Sequence, residues 1–379
     1  MFGNLLGKLV PRKTSEHNAA LVDTLYQRGA HAYQAGLYLE AARCAEQAIS
    51  LDPTLAAIHF LLGSAQFELR EYKVAETAFA TCLTLRPKYP MVVHAQMRWA
   101  LARSRANLAL GRTPRTASAE PVDGRSISII ICSIKPERFD RVCANYHALL
   151  SGVPHEIIGI HDARSLCEGY NRGIRRATGE ILVFSHDDIE IVSSDFAAKL
   201  LAHLTRFDLI GVAGTTRLIG GNWLHAGWPH IHGQIGSPGE KPGSIKVRVF
   251  QIRGVATENA QAMDGVFLAV RREVVERIGF DEVTLDGWHL YDLDFTYSAH
   301  LAGFRAAICH DLCLVHDSSG DYSREWQYSA RRFEEKHRDR LPHGEELQLP
   351  ELCLIEASSP AEWLLMSEEM TSRKESAPA

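Results

Sequence analysis

The sequence predicts two folded parts: an all-α helical-repeat domain and, after it, an α/β domain whose mostly parallel sheet carries helices on both faces. Three observations lead to this prediction. The first hundred residues repeat at a fixed spacing, a polar stretch without apolar periodicity follows, and strand-like apolar runs then alternate with helical patterns. A chain of 379 residues is long enough for two or three domains.

The N-terminal repeat has a period of 34 residues. Gly29 matches Gly63 and Pro53 matches Pro87 at this offset. Small residues let paired helices approach closely, and proline ends a helix because it has no N–H to donate. The period resembles that of the tetratricopeptide repeat, which is a pair of antiparallel helices. We therefore expect two such repeats and a capping helix within residues 17–111.

This helical domain has two interpretations that the sequence leaves open. It could form a groove that binds a protein or peptide, or it could be a structural or oligomerising module. Repeat arrays usually need three or more repeats to be stable, so two repeats and a cap are marginal. We expect the array to depend on contacts with other parts of the chain.

The second domain follows a predicted linker at residues 112–125, which is rich in Pro, Ser, Thr, Ala and Gly. The α/β domain is expected at 126–340. Strands are predicted at 126–133, 155–162, 181–188 and 209–215, and helices at 138–150, 167–177 and 195–204. The Gly-rich segment 216–262 is predicted to be a long irregular lid or binding loop. Residues 341–379 are predicted to be a partly disordered C-terminal tail.

Composition excludes several classes of protein. A net charge of −5 argues against a general nucleic-acid binder. No apolar run approaches the ~20 residues that a membrane span requires. Eight scattered cysteines without a CxxC pair favour a reducing compartment over a zinc ribbon. We expect a cytoplasmic protein with a frayed N-terminal segment, and a peripheral membrane association through residues 1–13 is the alternative.

Polar side chains follow three of the predicted strands, where ligands of open α/β sheets bind. Ser133 follows the first strand, Asp162 the second, and Asp187 and Asp188 the third. Burying two adjacent carboxylates is costly unless a cation compensates, and Mg²⁺ or Mn²⁺ prefers such oxygen ligands. The alternative for the Asp pair is a solvated turn. No GxGxxG or P-loop motif follows the first strand, which argues against a dinucleotide site.

A second group of candidate residues lies later in the chain. Asp292 and Asp294 open a helical pattern, where a carboxylate is either stabilised by the helix dipole or poised as a general base. His316 ends an apolar run and is either a metal ligand or a polar strand end. Trp288 either stacks on a sugar ring or belongs to the core. Four His-Asp dipeptides raise the possibility of a helical phosphohydrolase, but three of them follow strand-like runs, which argues against it.

The order of these pieces over residues 126–320 resembles the GT-A glycosyltransferases of the family 2 type. His186 stands where the first Asp of the metal motif is more common, and Tyr291 where the base usually has an acidic neighbour. The motifs that carry the resemblance are Ser133, Asp162, Asn171 with Gly173, His186-Asp187-Asp188, Met263-Asp264-Gly265, Tyr291-Asp292-Leu293-Asp294 and His316.

The resemblance implies a role for each matched residue. Asp188 would bind Mn²⁺ or Mg²⁺, with His316 as the second ligand. Donor contacts would come from Ser133, Asp162, Asn171 and Asp187. Contacts with the acceptor or the transferred sugar would come from Asp264, Gly265 and Trp288. Asp292 would deprotonate the acceptor hydroxyl.

The resemblance also implies a reaction. A sugar would pass from a nucleotide-diphosphate donor to a hydroxyl of a glycan or protein acceptor, with inversion at the sugar carbon. The helical domain would bind a protein acceptor or partner. Two alternatives stay open: a repeat scaffold that carries a degenerate transferase domain, and a nucleotidyltransferase or sugar-nucleotide hydrolase on a similar sheet.

Overall fold

The computed structural model describes residues 16–88, 90–114, 124–318, 320, 322–344, 346–348 and 353–372. It divides into a helical unit, which comprises the residues up to 114 together with 361–370, and a sheet unit that contains 115–360. The predicted N-terminal frayed segment, most of the predicted linker and the last seven residues lie outside the described residues. Among the described helices, none combines the length and apolar character that a membrane crossing demands.

The helical unit begins with five consecutive helices that are consistent with the predicted repeats. They are α1 (Glu16–Gln34), α2 (Tyr38–Leu51), α3 (Ala56–Glu68), α4 (Tyr72–Thr84) and α5 (Met91–Ala109). Glycine permits the close packing within each pair. A Cβ atom on Gly63 of α3 would lie 2.8 Å from the Phe79 ring of α4, and one on Gly29 of α1 would lie 3.0 Å from the Cβ of Cys44 in α2. The equivalent spacing of these two glycines therefore reflects equivalent helix contacts.

The C-terminal region differs from the predicted tail. Strand β14 (Cys353–Ala357) pairs with the sheet unit, and helix α12 (Pro360–Ser372) contributes a sixth helix to the helical unit. Trp363 and Met366 are completely buried, and the Arg105 Nε of α5 donates a hydrogen bond of 2.6 Å to the buried carboxylate of Glu362. The short apolar stretches of this region are thus core residues. Helix α12 contacts α5, so α5 is not the last helix of the helical unit.

The sheet unit is built on a mixed seven-stranded central sheet, with the strand order β2-β1-β3-β11-β5-β12-β9. Strand β1 is parallel to β2 and β3, whereas β11 is antiparallel to β3 and β5. The strands are β1 (Ile127–Cys132), β2 (His155–Ile160), β3 (Ile181–Ser185), β5 (Leu209–Gly211), β9 (Ala256–Glu258), β11 (Phe267–Arg271) and β12 (Ala306–Cys309). The helices are α6 (Pro136–Leu149), α7 (Leu166–Arg176), α8 (Phe196–Arg206), α9 (Arg272–Arg277), α10 (Tyr291–Leu301) and α11 (Arg324–Lys336). The predicted α/β domain is thereby confirmed.

The second sheet is centred on β7 (Ile231–Pro238), which pairs with three of its other strands. This sheet also contains β4 (Ile189–Ile191), β6 (Ala213–Thr215), β8 (Ile245–Val249), β10 (Ala262–Met263), β13 (Leu314–His316) and β14. The prediction of an irregular loop at 216–262 is therefore wrong. Glycines and short polar residues conceal the strand pattern there, although β8 alternates buried and half-buried residues as a strand should.

Burial explains why the predicted strands are correct. The isoleucines of β1 are fully buried on both faces, as is typical of a central strand between parallel neighbours. The one strand predicted at 209–215 is two strands, β5 and β6, which belong to different sheets and separate at Val212. The carboxyl ends of β1 and β3 and the start of α10 border the candidate site.

Candidate active site

Several of the residues predicted for chemistry line one large cavity of the sheet unit. Its volume is about 420 Å³, and its wall includes His186, Asp264, Trp288, Asp292 and His316. These residues come from four separate stretches of the chain, so the fold brings together side chains up to 130 positions apart. The cavity is bordered by both sheets and by the first turn of α10.

Three potential metal ligands converge at one end of this cavity, and we refer to His186, Asp188 and His316 as the His-Asp-His triad. Asp188 Oδ1 lies 3.2 Å from His316 Nε2 and 3.9 Å from His186 Nδ1, and the two imidazole nitrogens are 3.2 Å apart. His186 and Asp188 follow β3, and His316 ends β13, whose pairing with β4 places His316 opposite Ile189. Sequence reasoning predicted two of these ligands and missed His186.

The electrostatics of the triad suit a cation. Burial disfavours the charged form of Asp188, but the hydrogen bond and charge of His316 outweigh it and hold the pKa of Asp188 well below its usual range. Burial, with the charge of His316, lowers the pKa of His186. An ionised carboxylate and a neutral imidazole are the forms that coordinate metals. Two imidazole nitrogens and one carboxylate therefore fit a divalent metal ion.

Tyr291 fixes the orientation of His186. The Tyr291 hydroxyl lies 2.8 Å from His186 Nε2 and donates to the carbonyl oxygen of Gly265 at 3.2 Å. When the hydroxyl proton is directed to Gly265, the hydroxyl oxygen accepts from Nε2–H of His186. The lone pair of Nδ1 then faces the other two members of the triad, in the arrangement that metal-binding histidines usually have.

Asp292 lies in the first turn of α10 and faces the same cavity. Its Oδ2 accepts a hydrogen bond of 2.8 Å from the N–H of Gly265. Burial and the charge of Asp264 raise the pKa of Asp292 to about 7. Position 265 has no room for a side chain, because a Cβ atom there would lie 2.7 Å from the Cβ of Asp292. Gly265 thus permits the close approach that holds the carboxylate in place.

Asp294, the second acidic residue of this helix, anchors α10 and does not line the cavity. Its buried carboxylate accepts from His337 Nε2 at 2.7 Å and from Lys336 Nζ at 2.8 Å. Lys336 also pairs with Asp281 at 2.8 Å. The end of α11 therefore fixes the helix that carries Asp292.

The side chains that follow β1 and β3 meet next to the triad. Ser133 Oγ donates to Asp187 Oδ2 at 2.6 Å. Arg138, in the first turn of α6, brings its Nη1 to 3.3 Å from Asp188 Oδ2 and 3.8 Å from Asp187 Oδ1. Arg138 was not a predicted site residue, because a basic residue at a helix start carries no distinctive sequence signal. It places a positive charge against both carboxylates.

The other two predicted donor residues lie elsewhere. Asp162 is exposed, pairs with Arg172 at 2.6 Å and lines a separate cavity of about 520 Å³ together with Phe139. Asn171 is occupied by the backbone of Phe280, to which it donates at 2.8 Å and from which it accepts at 3.1 Å. Asn171 therefore joins α7 to the segment before α10, and its expected role as a donor contact stays a prediction.

Aromatic side chains form much of the cavity wall. Trp288 is 49% exposed, and Trp223 is buried with its ring edge-on to Phe250 at a centroid distance of 5.0 Å. Tyr322 and Trp326, at the start of α11, form a second edge-on pair at 5.0 Å. Such faces are suited to packing against the apolar faces of sugar rings.

Comparison with known protein families gives a match to one family model. The model of the glycosyltransferase-like family matches residues 128–336, which is more than half of the chain. No curated protein sequence matches.

Solved structures with a similar arrangement include three transferases. The crystal structure of GalNAc-T7 with UDP, GalNAc and Mn²⁺ has a TM-score of 0.37 and 13% sequence identity. The match covers 56% of this chain and 48% of GalNAc-T7. The mannosyltransferase PcManGT from Pyrobaculum calidifontis, in complex with GDP-Man and Mn²⁺, has a TM-score of 0.38 and 14% sequence identity, and the match covers 79% of this chain and 81% of PcManGT. For S. aureus TarS 1–349 the TM-score is 0.30 and the sequence identity is 13%, and the match covers 57% of this chain and 72% of TarS 1–349. The chain thus spans about half the length of the first of these proteins.

Proposed function

Because the chain belongs to the glycosyltransferase-like family, we propose that it is a metal-dependent, inverting enzyme that moves a sugar from a nucleoside-diphosphate donor to an acceptor hydroxyl. The family confirms the predicted GT-A-like fold and the class of enzyme. The observation that carries the finer proposal is that His186 and His316, which group with Asp188 in the His-Asp-His triad, line the same cavity as Asp292.

The triad would hold the cation, because its three ligand atoms lie within 4.8 Å of one another and the fold favours an ionised Asp188 and a neutral His186. When bound, Mn²⁺ or Mg²⁺ would neutralise the charge that develops on the departing diphosphate. Arg138, 3.3 Å from Asp188, adds a permanent positive charge at this end of the site. Tyr291 keeps the lone pair of His186 Nδ1 directed at the triad.

Asp292 would act as the general base. Its carboxylate accepts the proton of the acceptor hydroxyl while that oxygen bonds to the anomeric carbon. The bond from this carbon to the diphosphate oxygen breaks, and its electron pair leaves with the nucleoside diphosphate. A base with a pKa of about 7 is matched to reaction near neutral pH. One base on the face opposite the leaving group gives inversion.

The remaining residues would position the substrates. The Ser133–Asp187 pair would contact the ribose side of the donor, and Asp162 the nucleobase side. Asp264, Gly265 and Trp288 would contact the transferred sugar or the acceptor. For the helical unit we retain the proposal of a protein acceptor or partner.

The test is nucleotide binding measured as thermal stabilisation. UDP, GDP, dTDP and CMP are each added with and without Mn²⁺ to the wild-type protein, to Asp188→Asn and to Asp286→Asn. Asp286 is the matched control, because its side chain is 66% exposed and pairs with Arg332 at the surface. We expect one nucleotide to stabilise the wild type and Asp286→Asn only with Mn²⁺, and not to stabilise Asp188→Asn.

Two outcomes would contradict the proposal. If no nucleotide stabilises the wild type, the scaffold alternative is favoured. If a nucleotide binds but turnover releases pyrophosphate in place of a nucleoside diphosphate, the chain is a nucleotidyltransferase.

A further inference from the structure

Arg248 is a half-buried cation in the wall of the main cavity. Among the described residues that line this cavity, it is the only arginine or lysine. Within the described part of the chain its guanidinium also makes no hydrogen bond or ion pair with the protein. Guanidinium groups removed from bulk water are normally paired with an anion. We infer that Arg248 binds a carboxylate or phosphate group of the acceptor, so that the acceptor is an acidic sugar.

The strand register places Arg248 on the same face as the triad. Arg248 of β8 lies opposite Ile235 of β7, and Gly236 of β7 lies opposite Val315 of β13. Because side chains alternate along a strand, Arg248 and His316 project from one face of the sheet. Two strand spacings and an offset of two residues along the strands separate them, which is ~12 Å. A ligand in the cavity can therefore reach Arg248 and the triad at the same time.

The position of Arg248 points to the acceptor and not to the nucleoside. The residues proposed for the nucleoside, Ser133, Asp162 and Asp187, are outside the described lining of this cavity. The proposed base Asp292 and the exposed ring of Trp288 are part of the lining. The group bound by Arg248 thus belongs to a molecule that lies in front of the base. This step rests on the proposed function.

The surroundings of Arg248 indicate a carbohydrate. Phe250 follows two positions later and also lines the cavity, with Trp223 packed edge-on against it. Tyr322 and Trp326 supply further rings. Aromatic faces accommodate the C–H face of a sugar ring, while a guanidinium can hold a carboxylate or phosphate through two parallel hydrogen bonds. An unmodified neutral acceptor would offer this cation no anion of its own.

The experiment measures binding of simple sugars by the full chain. Glucuronate, N-acetylneuraminate, glucose 6-phosphate and methyl glucoside are titrated calorimetrically, with and without the stabilising nucleotide and Mn²⁺. The variants are Arg248→Met, Arg248→Lys and the control Lys246→Met, which removes a positive charge from the same strand outside the described cavity lining. Nucleotide-induced stabilisation of each variant reports whether it is folded.

We expect at least one acidic sugar to bind the wild type and Lys246→Met about tenfold or more tightly than methyl glucoside. Arg248→Met should lose this preference and Arg248→Lys should retain part of it. Whether a sugar acid or a sugar phosphate binds identifies the anion. Equal binding of neutral and acidic sugars, no binding of any acid, or an unchanged preference in Arg248→Met would overturn the inference. Failure of the wild type to bind any of the nucleotides would instead contradict the proposed function.

Discussion

Replacing Asp292 with asparagine tests the role of this residue by two independent measurements. Asparagine has nearly the same size and keeps an oxygen that can accept the N–H of Gly265. It has no basic oxygen, so the rate of transfer should fall by about a hundredfold or more. The change also removes a carboxylate whose ionisation the fold disfavours, so we expect the free energy of unfolding to increase.

The stability effect has a definite dependence on pH. Burial and Asp264 raise the pKa of Asp292 from 3.8 to about 7. Between these values the folded protein keeps a proton that the unfolded chain releases, so the stability that this proton confers is complete below 3.8 and is lost as the pH rises through 7. The full difference corresponds to a ceiling of about 4 kcal/mol. Water in the cavity screens the charge, so we expect Asp292→Asn to gain about 1–2 kcal/mol at alkaline pH.

The assay is urea unfolding of the wild type and Asp292→Asn at about pH 4 and about pH 8, without nucleotide or metal, together with initial rates of transfer. The advantage of the variant should be small at the acidic pH and larger at the alkaline pH. Wild-type activity should rise as the pH increases through about 7, since the ionised form is the base. Asp264→Asn should move this midpoint to lower pH, because it removes the neighbouring charge. A variant that keeps a tenth of the activity, or shows the same stability difference at both pH values, would refute the reasoning.

Three further substitutions test the supports of the site and of the helical unit. Asp294→Asn removes the buried carboxylate that Lys336 and His337 share, so urea unfolding should show a loss of about 3–5 kcal/mol; a loss below 1 kcal/mol would contradict the anchoring role. Glu362→Gln weakens the pair with Arg105, and hydrogen exchange should then increase in α5 and α12 but not in the sheet unit. Tyr291→Phe removes the partner of His186 Nε2, and Mn²⁺ affinity measured by titration should fall about 10- to 100-fold; unchanged affinity would exclude the orienting role.

The sheet could be predicted where burial acts on consecutive residues. The runs that become β1, β2 and β3 are almost continuously apolar, and their predicted bounds agree with the structure to within three residues. The rule that ligand-binding residues follow strand ends then brought Asp188 into the predicted site. It also explains why His316, distant in sequence, could be proposed as its neighbour.

The remaining features depend on contacts that no local pattern records. His186 is a member of the triad because β13 lies beside β4, and its usable tautomer depends on Tyr291 from another helix. The role of Asn171 is set by the Phe280 backbone, 109 positions away. Helix α12 looks like a polar tail with short apolar stretches until the burial of Trp363 is known. Each of these is a tertiary pairing of residues that are unremarkable alone.

The two chemical parts of the site are mechanically connected through the start of α10. Tyr291 orients His186, and the next residue is Asp292, so the metal-binding end and the base are held by one helical turn. Gly265 contacts both, since its carbonyl oxygen accepts from Tyr291 and its N–H donates to Asp292. A displacement of this turn would change the triad and the base together.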